Sequence, residues 1–183
     1  MDATTAMNQS NAIVTGLIGG LTSEHREMPT PCAEWTVHDL IEHMCRGGHL
    51  IAGALQGQAP PEDAPDLLAD GPAKGWAGTV EHLTAAATPE ALAAKHQMPF
   101  GEVPGEMALS VIVADNVTHA WDLARATGQD VEIGDDLASF ALTTWQGVVP
   151  ADGRDGANFG AVVPVADGSS TLDQLAGYTG RQP

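Results

Sequence analysis

The chain has 183 residues, 43% hydrophobic and 17% charged, which is enough for one globular domain with a sizeable core and too apolar for a disordered chain. A formal net charge of −17 with only seven Lys plus Arg excludes nucleic acid and anionic membrane surfaces as partners, because both need clustered cations. Few basic side chains are left to neutralise a buried acid, and either a salt-rich habitat or a very soluble acidic surface accounts for the charge.

Aromatic residues make up 4%, so Ala, Leu, Val and Ile must supply most of the packing. The start Met1-Asp2-Ala3-Thr4 lacks a positive region, and no apolar run reaches membrane-spanning length, so no leader or anchor is expected. Cys32 and Cys45 form neither a disulfide framework nor a Cys-x-x-Cys site, and a reducing cytoplasm is the simplest reading.

In chain order, Ile13, Leu17, Ile18 and Leu21 predict a first helix over Thr5 to Ser23. Met28-Pro29-Thr30-Pro31-Cys32 is a breaker-rich loop. Thr36 is the expected N-cap of a second helix, Val37 to Gln56, with Asp39 favouring its positive end. Its stripe Leu40, His43, Gly47, Leu50, Ala54 places His43 on the core face, with Gly47 leaving space beside it. Taken on its own, His43 reads first as a core imidazole bonded to backbone and only second as a ligand.

Ala59 to Pro72 reads as a surface connection, perturbed only by a short turn at Asp66 to Ala69. A helix resumes over Trp76 to Ala87, and Thr88-Pro89-Glu90 starts a short one with Thr88 as N-cap. Lys95 to Pro104 is a loop or irregular hairpin, and Glu102 and Glu106 are solvated acids. A long helix follows from Pro104 to Thr127, stopped by Gly128. Another runs from Asp135 to Gly147, followed by a loop over Val148 to Asn158 and a short extended segment, Phe159 to Val165. A small helix over Thr171 to Tyr178 and the tail Gly180-Arg181-Gln182-Pro183 close the chain. The expected architecture is one mainly all-α domain over 1–183: a four-helix bundle with a small C-terminal extension that holds the extended segment.

The long helix carries the chemistry. Asp115 and His119 share one face with Ala108, Val111 and Ile112, so a carboxylate and an imidazole interrupt an apolar stripe. Burying that carboxylate without a partner costs on the order of several kcal/mol, and a metal ion is the leading compensation. With His43 as a third donor the set is two imidazoles and one carboxylate, an open arrangement that suits Zn²⁺ and also holds Ni²⁺ or Fe²⁺. Asp122, one turn on, either orients a ligand from behind or forms an exposed ion pair with Arg125.

Two longer patterns add to this. Thr30-Pro31-Cys32-x-x-Trp35-Thr36-Val37-x-Asp39-Leu40-Ile41-x-His43-Met44 and Asp115-x-x-x-His119-x-Trp121-Asp122-Leu123-Ala124-Arg125-Ala126-Thr127-Gly128 resemble the actinobacterial DinB-like metal-binding family related to mycothiol-dependent maleylpyruvate isomerase. The ending Leu172-Asp173-Gln174-Leu175 with Gly180-Arg181-Gln182-Pro183 is similar too. The resemblance implies a DinB-like four-helix bundle whose metal ligands fall on His43, Asp115 and His119. The isomerase has Glu at the second of these positions, so maleylpyruvate is not carried over as substrate. A divalent metal and mycothiol or a similar small thiol are the implied cofactors. The implied activity is a thiol-dependent transferase or isomerase acting on a small electrophile, in a monomer or homodimer, with no separate protein nucleophile required.

On this reading Cys32 and Cys45 stand apart from the chemistry, and Trp35, Trp121 and Trp145 belong to the core. Arg46 either meets an acidic ligand or sits at the surface. The competing readings are a non-catalytic metal or small-ligand-binding bundle and a cluster that only hydrogen-bonds internally.

Overall fold

Local chemistry sets most of the helix ends. In the computed structural model, which describes every residue except 33, 62, 64, 99, 100, 155, 157 and 158, α1 spans Ala3–Gly19 and α2 Val37–Leu55. Asp2 caps α1 through Thr5 N–H, which starts that helix ahead of the expected Thr5. Thr36 and Asp39 cap α2 reciprocally, each side chain accepting from the other's backbone N–H. Helix α3 covers Pro72–Ala86, and α4 covers Pro89–Ala93 behind its Thr88 cap. Helix α5 covers Gly105–Thr127 and ends at Gly128 with φ 68°, the left-handed stop that a residue without Cβ adopts freely. Helices α6, Asp135–Val148, and α7, Thr171–Tyr178, complete the set.

The stretch read as loop or hairpin is a two-stranded antiparallel ladder, β1 (Lys95–Met98) and β2 (Gly101–Pro104), whose connecting residues lie outside those described. Parts of the expected loops Ala59 to Pro72 and Val148 to Asn158 lie outside them as well. Residues 159–165 run without strand partners; Val163 N–H donates to Gly177 O at 2.9 Å and Gly160 O accepts from Arg154 Nη1 at 3.0 Å.

Four helices close a ring: α1 packs on α5 and α3, and α2 packs on α3 and α5. Met7, Leu109, Val113, Leu137 and Leu175 fill one end of the core, which extends out under α6 and α7. Val14, Leu40, Ile41, Met44, Trp76 and Leu123 fill the other. Helix α6 packs outside α5, and α7 packs on α6. Two tryptophan N–H groups are satisfied inside the fold, Trp76 by Thr15 Oγ1 and Trp145 by Thr118 Oγ1, each at 3.0 Å. Among the described residues no helix is long and apolar enough to cross a membrane.

Glycines on α2 allow the close approach of its neighbours. A Cβ at Gly47 would stand 3.0 Å from Ile112 Cδ1 of α5, and one at Gly48 would overlap Thr79 of α3. Gly48→Val should therefore destabilise the fold by about 1–3 kcal/mol through overpacking, read as a lower urea midpoint at unchanged slope.

Candidate metal centre

The cluster forms where α2, α5, the loop before α2 and the chain after α7 meet. Asp115 and His119 project from one face of α5, as their spacing predicts, and His43 reaches them from α2. His43 Nε2 lies 3.3 Å from Asp115 Oδ2, and His119 Nε2 lies 3.4 Å from Asp115 Oδ1. The two imidazole rings stand edge to face with centroids 5.0 Å apart. These N···O separations exceed the ~2.7–2.9 Å of a charge-assisted hydrogen bond. The three side chains therefore converge on a common point more than they bond one another, and their ligand atoms all lie within 4.8 Å. His43 is 39% exposed and Asp115 20%, whereas His119 is 7%, so the group opens to solvent on the His43 side and is sealed behind His119.

His119 is held from behind. Its Nδ1 lies 2.9 Å from Asp122 Oδ2, a full hydrogen bond, and Asp122 is completely buried. The alternative pairing of Asp122 with Arg125 does not occur, since Arg125 lies over the Trp121 ring at 4.9 Å. Instead Arg181 donates to both carboxylate oxygens, Nε to Oδ1 at 3.1 Å and Nη2 to Oδ2 at 2.7 Å. Arg181 was not legible as a site residue. Its only signal is that it is one of seven cations in an acidic chain and sits in the family-like ending.

The expectation that both cysteines stand apart holds for Cys45, buried in the core with its thiol pushed up by burial. It fails for Cys32. Its Sγ lies 3.2 Å from Asp122 Oδ2, 3.3 Å from Arg181 Nη2 and 3.8 Å from His119 Nδ1. The reason is the turn before α2. Thr30 Oγ1 bonds the carbonyls of Cys32 and Trp35, Trp35 N–H donates to Cys32 O, and Glu34 takes a left-handed φ of 67°. That turn folds Cys32 inward and swings Trp35 over the site. Trp35 packs against the core as expected, and its ring also borders the site, with its centroid 4.7 Å from His43 and 6.1 Å from His119. Trp121 and Trp145 are core residues as expected. Arg46 pairs with Glu42 at the surface.

Cys32, His119 and Asp122 form a second set within ligand range, but Arg181 already donates to both oxygens of Asp122 and its positive charge disfavours a cation beside it, so the set is better placed to buttress His119. His49 and His82 face each other with Nδ1 atoms 2.8 Å apart, and among the described residues no third His, Cys, Asp or Glu joins them.

Electrostatics follow the geometry. Burial pushes the Asp115 carboxyl up, yet the imidazoles of His119 and His43 outweigh it and hold the group well below the usual carboxylate range. Burial pulls His119 down, but Asp115, with Asp122 and Cys32 behind, raises it well above an ordinary imidazole. Burial likewise opposes ionisation of Asp122, and His119 and Arg181 bring it down to about 2.

A closed ring of four helices with two imidazoles and a carboxylate facing one open point defines a helical-bundle protein with a candidate metal centre. The chain belongs to the mycothiol maleylpyruvate isomerase N-terminal domain family, which matches residues 8–124, from within α1 almost to the end of α5. It is 34% identical over 182 residues to two uncharacterized proteins from Mycobacterium tuberculosis strains, Rv0738 and MT0763, covering 99% of this chain and 98% of each relative. No solved structure matches the chain.

Proposed function

We propose that the protein holds one divalent ion, Zn²⁺ by preference, on His43 Nε2, Asp115 and His119 Nε2, and uses it in a mycothiol-dependent transfer or isomerisation of a small electrophile. The observation that carries this reading is the convergence of the three donors, all within 4.8 Å of one another and at N···O separations longer than a charge-assisted hydrogen bond, on a face open to solvent. Membership of the mycothiol maleylpyruvate isomerase family points to the thiol. When bound, the ion would favour the thiolate form of that cofactor and polarise an electrophile's carbonyl.

The chain's own residues supply the rest. Asp122 accepts the Nδ1 proton of His119, so that Nε2 presents its lone pair. Asp115 contributes the negative charge that neutralises part of the ion. The Trp35 ring lies against the His43 imidazole, centroids 4.7 Å apart, and flanks the opening with an apolar surface. The reading takes 1–183 as a single unit, in which the bundle carries the ligands and the extension carries Arg181.

Elemental analysis of untagged protein should find one equivalent of metal. Addition of mycothiol and a panel of electrophiles to the loaded protein should give thiol conjugates or isomerised products. Protein without stoichiometric metal overturns the reading, and loaded protein inert to every electrophile leaves a binding module. Asp115→Glu, which installs the residue of the isomerase, should keep the metal within about tenfold of the parent affinity, as checked by competition with a chromogenic chelator.

A further inference from the structure

We propose that the chain after α7 is part of the metal centre: Arg181 is a positioning residue that fixes the Asp122 carboxylate and, through it, the orientation of His119. The inference rests on the metal reading above and extends it to a residue beyond the segment 8–124 that the family match covers.

An imidazole can present either nitrogen, and which one faces an ion depends on the hydrogen bond the other makes. His119 has carboxylates on both sides, Asp115 at Nε2 and Asp122 at Nδ1. A carboxylate free to rotate would hold Nδ1–H poorly, and Asp122 is not free. Oδ2 accepts from His119 at 2.9 Å, from Arg181 Nη2 at 2.7 Å and from the Cys32 thiol at 3.2 Å, and Oδ1 accepts from Arg181 Nε at 3.1 Å. The guanidinium is itself set by the helix before it. Arg181 Nη1 donates to Thr179 O at 2.8 Å, its backbone N–H donates to Ala176 O at 2.8 Å, and Thr179 Oγ1 ties back to Leu175 O at 2.9 Å. The relay therefore runs from the α7 backbone to Arg181, to Asp122, to His119.

Charge neutralisation alone would explain a pairing of Asp122 with any cation. It does not explain a guanidinium whose three nitrogens are all committed, two to the carboxylate and one to the backbone that places it.

The test measures Zn²⁺ affinity by chelator competition, together with the Co²⁺ visible absorption spectrum, for the full chain and for Arg181→Gln, Arg181→Lys, Asp122→Asn and the double variant Asp122→Asn/Arg181→Gln. Loss of a group that orients a metal-binding histidine weakens binding ~10–100-fold. Arg181→Gln should fall in that range with an altered Co²⁺ spectrum, and Arg181→Lys should lie between it and the parent. The double variant should bind as Asp122→Asn does, within about twofold, because Arg181 acts only through Asp122. Parent-like affinity and spectrum in folded Arg181→Gln, or fully additive losses in the double variant, overturn the inference while leaving the metal reading intact. A parent protein that binds no zinc overturns both. Should Arg181→Gln not fold, Arg181→Lys decides: parent affinity and spectrum in that variant overturn the inference.

Discussion

Protein carrying His119→Ala is expected to lose stoichiometric zinc, with an affinity drop of more than about 100-fold, beyond the range seen for groups that only orient a ligand. His119 is the donor that the fold has buried and aligned most thoroughly, at 7% side-chain exposure with Asp122 behind it. His43→Ala should also abolish tight binding, but more through loss of a donor than through disturbance of the core, since His43 is 39% exposed. The affinity of the parent should rise with pH. In the metal-free chain His119 is held protonated well above the ordinary imidazole range, so an ion must displace that proton. Zinc titrations across neutral to alkaline pH read this directly, and a pH-independent affinity would place the ion elsewhere.

Arg181→Ala is expected to destabilise the metal-free protein by about 1.5–3 kcal/mol, the cost of removing charge-assisted hydrogen bonds from a fully buried carboxylate that keeps only His119 as its charged partner. Urea unfolding at neutral pH measures it. The same pair predicts the acid limb of the parent. The Asp122 carboxyl sits at about 2 in the folded chain, against a reference of 3.8. A depressed carboxyl contributes stability that is fully present above the unfolded value and is lost as pH falls through the folded one, here between about pH 4 and pH 2. The expected contribution is about 2 kcal/mol, which Asp122→Asn should remove from the pH dependence. An Asp122→Asn variant with the same acid limb as the parent would assign that limb to other carboxylates.

The parts of this protein that local sequence determined are those governed by period and by neighbours in the chain. The Thr36–Asp39 cap, the Thr88-Pro89 start, the Gly128 stop and the bounds of α7 each depend on residues within one turn, and the structure places them where their chemistry predicts. The shared face of Asp115 and His119 follows from helical spacing in the same way, and the pattern around His43 brought the third donor into the reading. Tertiary structure decided what surrounds them. Asp122 had two readings because Arg125 is equally close in sequence, and the choice fell to Arg181, whose partner lies 59 positions away. Cys32 meets Asp122 across 90 positions, and nothing in its own neighbourhood announces that contact. Trp35 reaches the site because Glu34 adopts a left-handed backbone, a conformation that no side-chain pattern encodes. A helix periodicity says which residues share a face. Which loop and which tail come to cover that face depends on how the whole ring of helices closes.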